Sequence, residues 1–428
     1  MRFTWIDVRA GWRAGKIDQL AFGAAVCAVP MSIAVSEIFL AVALVSRLAR
    51  IVRGEEALVV PQVFWFWLVW AGLEVVGWLH SPEPGAGTGE MRHLLLIAAL
   101  FVTVPSLEGV EARLRVWRLV LVSATLGSAA LIAGFAARAI RYRHELAMGG
   151  DAAFYLRSGG LLHHWMVYAT VEVLVFGALL EFRWTFPGER WWLTPALAIH
   201  CAAVLLSLTR SLWVACLVVY GLHLAWRRSK RLWAIPVLPA IVFLVPGPIH
   251  QRVTESLRPD YYSNAERVEM WRVGWRMIRE HPVFGVGPGR VEELYTRYLR
   301  AGELVPAYHG HLHDNAIQLA AQFGVVTLLA AAVFLAMVVR ELVRSCRRAG
   351  STGVVSRSGL LGLAGFLTVG VVDYTYGHSL GLILAMFAVV GGGLALQDAR
   401  AVQTFQKRTD GATQTEEIKR KWNGRWRA

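Results

Sequence analysis

Three histidines at alternate positions, His309, His311 and His313 in AYHGHLHDNAIQL, stand just before a long apolar run. In an extended strand alternate residues project to one side, and imidazoles suit zinc, so metal binding is one chemistry open to them. No neighbouring Cys or HExxH pattern completes such a site, and no metal is assigned. General base catalysis is a second, because histidine's ordinary pKa of about 6.5 lets it accept a proton at neutral pH. A hydrogen-bonded structural rim is the third. Arginines supply the next signal. Arg210 interrupts LLSLTRSLWVA between two apolar stretches, where an ionisable group is expensive. Its guanidinium can hold a phosphate through paired hydrogen bonds, or snorkel from a helix end to the interface. Arg267 lies in NAERVEMWRVGW, and Arg157 precedes the Gly159–Gly160 pair. GVGPG, Gly285 to Gly289, lacks the lysine of a phosphate loop and follows no soluble strand, so it reads as a turn. Glu37, Glu74, Glu172 and Asp373 lie in or near apolar runs, where they serve either buried hydrogen bonding or a proton-coupled pathway.

The elements that position these groups are membrane helices. Of 428 residues 56% are hydrophobic and 17% charged, against roughly 45–50% and roughly 25% in soluble domains. That apolar content suffices for about twelve spans of about 20 residues, and it excludes disordered, collagen-like and coiled-coil chains. The net charge of +14 reads as basic cytoplasmic loops, with no nucleic-acid partner expected. Four cysteines, three of them in apolar stretches, read as packing residues rather than a disulfide framework. The charged first sixteen residues lack a small-residue cleavage site after a short apolar core, so no removed signal peptide is expected.

Apolar runs place spans over residues 18–31, 33–50, 62–80, 93–107, 116–137, 161–182, 191–208, 211–226, 232–247, 315–340, 358–376 and 379–397. The ninth is interrupted by Pro236 and Pro239. Lys and Arg concentrate in alternate loops, after spans two, four, eight and ten, and in both terminal segments. The positive-inside rule then puts both termini in the cytoplasm and requires an even number of spans, which twelve satisfies. The fold class expected is an all-α polytopic integral membrane protein. Its parts are transmembrane helices one to nine over 1–247, a helical loop over 248–314 on the opposite side, helices ten to twelve over 315–397, and a basic cytoplasmic tail over 398–428. Within the loop, AERVEMWRVGWRMIREH and ELYTRYLR read as amphipathic helices.

The order of parts resembles the bacterial O-antigen ligase and polymerase superfamily, most closely the lipopolysaccharide O-antigen ligases. An arginine in LTRSLW comes first, then ERVEMWRVGWRMIREHPVFGVGPG in a long loop, then HLHDNAIQLAAQFG entering a span; the likeness runs from about Leu206 to Gly324. The resemblance implies a GT-C-like, inverting glycosyltransferase of the inner membrane with a periplasmic active site. It would move a finished polysaccharide from undecaprenyl diphosphate to the lipid A core, with no cofactor and no metal. On the family pattern His313 is the base, Arg210 and Arg267 bind the diphosphate, and His311 supports them; Asn315 and, from its own placement, Arg157 are further supporting candidates. Asp314 stands where the family often has Asn, with Asn315 one position later, which leaves open which side chain orients His313.

Two other readings use the same residues. An O-antigen polymerase or a protein O-oligosaccharyltransferase would share the lipid-linked donor and differ in acceptor. A lipid or solute transporter would need an ionisable path through the membrane. The gathering of Arg157, Arg210, Arg267 and His313 on one expected face favours ligation, with donor, lipid A core acceptor and membrane lipids as partners.

Overall fold

A computed structural model describes residues 17–391 apart from 163, 307 and 348–350. The first sixteen residues and the tail over 398–428 lie outside the described residues, as does the end of the last expected span. Among the described residues the chain is helical, with no strand. The main helices are α1 (Ile17–Ala28), α2 (Ile33–Val52), α3 (Val63–His80), α4 (Arg92–Thr103), α5 (Gly109–Arg141), α6 (Trp165–Thr185), α7 (Arg190–Leu206) and α8 (Arg210–Trp226). They continue as α9 (Val237–Leu244), α10 (Pro248–Ser256), α11 (Tyr262–Glu280), α12 (Asn315–Phe323), α13 (Val325–Cys346), α14 (Ser351–Gly370) and α15 (Ser379–Val389). Five segments, in α3, α5, α6, α13 and α14, are long and apolar enough to cross a membrane, and four shorter apolar helices accompany them. The protein is therefore a helical, multi-pass membrane protein.

Helix α6 is apolar on every side, so it must be surrounded, and every residue from Tyr168 to Phe182 is buried. It packs on α14 through small residues: a Cβ on Gly177 would lie 3.0 Å from the Leu361 side chain and one on Gly362 3.0 Å from Leu174. Such gaps let backbones approach where lipid offers no hydrophobic drive between helices. By contrast α2 turns Ile38, Val42 and Val45 outward, the pattern of a lipid-facing helix, with Glu37 also exposed on it.

Charged groups inside the bundle are partnered. Glu74 meets His93 Nε2 at 2.7 Å and accepts from the Tyr376 hydroxyl at 2.9 Å. Glu172 meets His200 Nδ1 at 2.6 Å and accepts from Ser128 at 3.1 Å. Glu181 binds His223, Arg227 and Arg357. A buried charge persists only with such partners, and these sets cross-link helices.

The two ends of the bundle differ in charge. One carries Arg47, Arg50, Arg113, Arg118, Arg227 and Arg357, fixed to Asp18, Glu56, Glu189, Glu181 and backbone carbonyls. The other gathers the loops around residues 81–91, 142–164, 207–209, 248–314 and 371–378. Contacts such as Tyr261 to Asp151, Arg252 to Leu208 and Asn315 to Thr375 bind them together.

Three segments differ from expectation. Over 232–247 only α9 is α-helical, eight residues preceded by a 3-10 turn at Lys230–Ala234. Pro236 and Pro239 fall within it, and proline removes a backbone donor and crowds the preceding turn. The chain still traverses the bundle there, because Arg227 ends α8 while Arg252 bonds to Leu208 just before α8 begins. The run over 315–340 is two helices, broken at Gly324 with φ of 86°. A Cβ there would lie 2.0 Å from the Val283 carbonyl oxygen, and Val325 donates its amide to Pro282 O at 2.8 Å. Close approach of residues 282–284 forces the break. ELYTRYLR forms only an α-turn at Val291–Leu294 and a 3-10 turn at Tyr295–Tyr298. The amphipathic helix α11 forms as its sequence predicts, and GVGPG is a turn with positive φ at Gly285, Gly287 and Gly289. All four cysteines are free.

Candidate functional site

Helix α7 ends at Leu206, and the chain turns through Leu208 before α8 starts at Arg210. Leu208 has a left-handed backbone, φ 52°, rare for a residue with a branched side chain. That conformation turns its carbonyl toward two arginines: Arg252 donates from Nε at 3.1 Å and Arg157 from a terminal nitrogen at 3.5 Å. Arg210 reaches the opposite way, to Asn264 Oδ1 at 2.6 Å and Ser263 Oγ at 3.3 Å at the start of α11. One turn further, Arg267 donates to Ser263 Oγ at 2.9 Å, to Val372 O at 3.1 Å and to Asp373 Oδ1 at 3.3 Å. The four guanidiniums line one cavity of about 470 Å³ with Trp165 and Trp271.

Arg252 pairs with Glu255 at 2.8 Å and Arg267 with Asp373, whereas Arg157 and Arg210 have no carboxylate within ion-pair range among the described residues. The cavity thus carries excess positive charge. Burial, with Arg252 and Arg267 near, pushes the Arg157 guanidinium down to about 10, and it remains a cation at neutral pH. Its Nε is buried without a partner. Such unsatisfied, clustered cations suit a multiply charged anion.

His313 borders this cavity rather than lining it. Its Nδ1 lies 3.4 Å from Asp373 Oδ1, a close contact without an aligned hydrogen bond, and Trp271 donates to its carbonyl at 3.4 Å. Its φ of 49° is again left-handed, and strain of this kind gathers at functional sites. Asp373 is buried in the turn between α14 and α15 and accepts from Ser211 at 2.6 Å. Burial alone would raise its pKa, but His313, Arg267 and Ser211 together hold it below the ordinary carboxylate value.

The other candidates divide. The His311 ring stands edge-on to His313 with centroids 4.3 Å apart, and burial beside His313 and His378 pushes its pKa down to about 3. His309 turns away, stacked on Tyr295, so the three imidazoles do not converge. Asp314 is the N-cap of α12, accepting from the Ile317 amide at 2.8 Å. Asn315 donates to Thr375 Oγ1 and accepts from the Thr375 and Tyr376 amides, which ties the histidine segment to the Asp373 turn. Neither touches His313 through its side chain in these contacts; the acidic neighbour is Asp373. Sequence reasoning did not single out Arg252, although an arginine in the expected outer loop was its signal. It noted Asp373 only as a carboxylate near an apolar run.

No curated protein matches the chain. Residues 195–332 match a family model described as O-antigen ligase. The match encloses Arg210, Arg252, Arg267 and His313, while Arg157 and Asp373 join the cavity from outside it. It spans about a third of the chain, the part that builds most of the cationic cavity, and shows that this segment is similar to the O-antigen ligase family.

Proposed function

We propose that the protein is an O-antigen ligase: an inverting, metal-independent glycosyltransferase that moves a polysaccharide from undecaprenyl diphosphate to a hydroxyl of the lipid A core. The observation that carries this reading is the convergence of Arg157, Arg210, Arg252 and Arg267 on one cavity bordered by the His313–Asp373 pair. The donor already bears a diphosphate leaving group. The protein has to place it, neutralise its charge and take a proton from the acceptor.

Arg210 and Arg267 hold the diphosphate, and Arg157 and Arg252 add positive field. Asp373 fixes the proton of His313 on Nδ1, leaving the Nε2 lone pair to accept the hydroxyl proton. The acceptor oxygen bonds to the anomeric carbon as the carbon–oxygen bond to diphosphate breaks. Undecaprenyl diphosphate leaves and the anomeric centre inverts. The site end of the bundle faces the periplasm, the arginine-rich end the cytoplasm, and the chain crosses the inner membrane twelve times in a GT-C-like arrangement.

The test is transfer in reconstituted membranes holding the lipid-linked glycan and lipid A core, with chelator and without nucleotide, comparing wild type with His313→Ala. Capture of glycan on lipid A core that vanishes in a folded variant supports the ligase. Lengthening of the glycan without capture moves the assignment to a polymerase. No transfer from folded wild type defeats both.

A further inference from the structure

A second concavity, of about 460 Å³, opens at the same end of the bundle where α3 and α11 finish, with His80, His281, Phe284, Arg290, Arg297 and Tyr298 among its walls. Its chemistry differs from the first. The His80 and Phe284 rings stack with centroids 4.2 Å apart, and Phe284 keeps 38% of its surface open. Arg290 is the polar counterpart. Its side chain is only 12% exposed, yet its nearest carboxylates, Glu293 and Glu83, stand 3.7 and 3.8 Å away, its link to the Val286 carbonyl is 3.5 Å, and its Nε has no hydrogen-bond partner. Charge-assisted bonds close to about 2.7–2.9 Å, so this guanidinium is held in place without being satisfied. The Nε itself is enclosed, so the terminal guanidinium nitrogens are the weakly engaged donors. An open aromatic face beside them, with Glu280 also on the wall, suits a ligand with both apolar and hydroxyl surface, such as a sugar, rather than a lipid tail.

The cavity is tied to the reaction centre by α12. That helix starts directly after His313, and its last turn is stitched to the floor of the second cavity. Val286 donates to Ala321 O at 2.8 Å and Gly287 to Gln322 O at 3.0 Å. Gly285 sits so close that a Cβ would lie 2.3 Å from the Gln322 carbonyl carbon. Nine helical residues, about 14 Å, therefore set the spacing between His313 and this floor, the reach of a short oligosaccharide.

We infer that the second cavity is a distal glycan subsite, with Arg290 anchoring a sugar several residues from the reacting bond. This rests on the ligase reading for its ligand. The sugar belongs either to the lipid A core acceptor or to the donor polysaccharide, and the chemistry of recognition is shared.

The experiment uses full-length protein in nanodiscs and Arg290→Gln, with Phe284→Ser as an independent second variant. Binding of soluble core oligosaccharide and of soluble O-polysaccharide is titrated by tryptophan fluorescence, without turnover. The expected result is that one glycan binds wild type and His313→Ala equally and both cavity variants about tenfold more weakly, the loss of one charge-assisted bond or one stacking surface. The glycan affected names the source. In the transfer assay KM for that substrate should rise with kcat retained, and a substrate truncated at its distal end should erase the difference. Absence of binding by wild type, or equal binding by wild type and both variants, overturns the subsite. Failure of transfer with intact, Arg290-dependent binding instead sinks the ligase reading and leaves the glycan site standing.

Discussion

His313 Nδ1 and Asp373 Oδ1 lie 3.4 Å apart although 60 positions separate the residues in sequence, and Asp373 is held in turn by Ser211 and Arg267. One carboxylate thus touches both the imidazole and an arginine of the cationic cavity. Asp373→Asn preserves shape and can still bond Ser211, but it withdraws the charge that would fix the tautomer and stabilise the imidazolium. Transfer should fall by about 10²-fold or more while the protein folds. Single-turnover rates on the purified variant check this, and an unchanged rate removes Asp373 from the mechanism.

Arg210 uses two nitrogens on two partners, Asn264 and Ser263. A lysine there keeps the charge and loses the planar fork. Arg210→Lys should lower kcat/KM for the lipid-linked donor by about tenfold or more without altering acceptor KM. Titrating each substrate at saturation of the other separates the two; a change confined to the acceptor would reassign Arg210.

Gly324 combines positive φ with a carbonyl oxygen 2.0 Å from where a Cβ would stand. Gly324→Ala should destabilise the protein by about 2 kcal/mol or more, since left-handed strain and a clash with backbone act together. Gly54 also has positive φ but nothing within 4 Å, so Gly54→Asn should be nearly neutral. Thermal unfolding in detergent compares them, and equal losses would show that close packing at residues 282–284 does not force the break.

His311 and His378 give the fold a pH dependence. Unfolded, each imidazole titrates at about 6.5; folded, burial first and neighbouring imidazoles second push them down to about 3 and about 4. Between those values the unfolded chain binds more protons, so stability is full above about pH 6.5 and falls as the pH drops toward the folded values. Melting temperature should decline between pH 7 and about pH 4.5, and His311→Asn should shallow the decline. A parallel decline in the variant would show that His311 is not held neutral by the fold.

Arg210 was legible in the sequence because a cation between apolar runs is costly and so conspicuous, whereas Arg267 and His313 were legible from their loop motifs. Arg157 stood out less and proved to share the same cavity. What the sequence could not carry was distance across the fold. Asp373 reads there as one more carboxylate near a span, and only the packing of α14 against α8 brings it to Ser211, Arg267 and His313. Asp314 and Asn315, next to His313 in the chain, serve the N-cap and the 375–376 turn instead. Hydropathy likewise located most of the helices but not the break at Gly324, since AAQFGVV carries no charge or proline and the cause lies in Val283, 41 positions earlier in the chain.

The segment that runs back along α8 on only eight α-helical residues also bears on the lipid it would meet. Trp233, Val237 and Leu244 face outward there, so this flank is not sheltered by another part of the described chain. Eight residues rise about 12 Å, far less than the roughly 30 Å of hydrocarbon in a bilayer. Peptide groups outside a regular helix need water or headgroups to bond with. A bilayer meeting this flank would have to thin toward it, which would ease the sideways passage of a polar headgroup toward the protein.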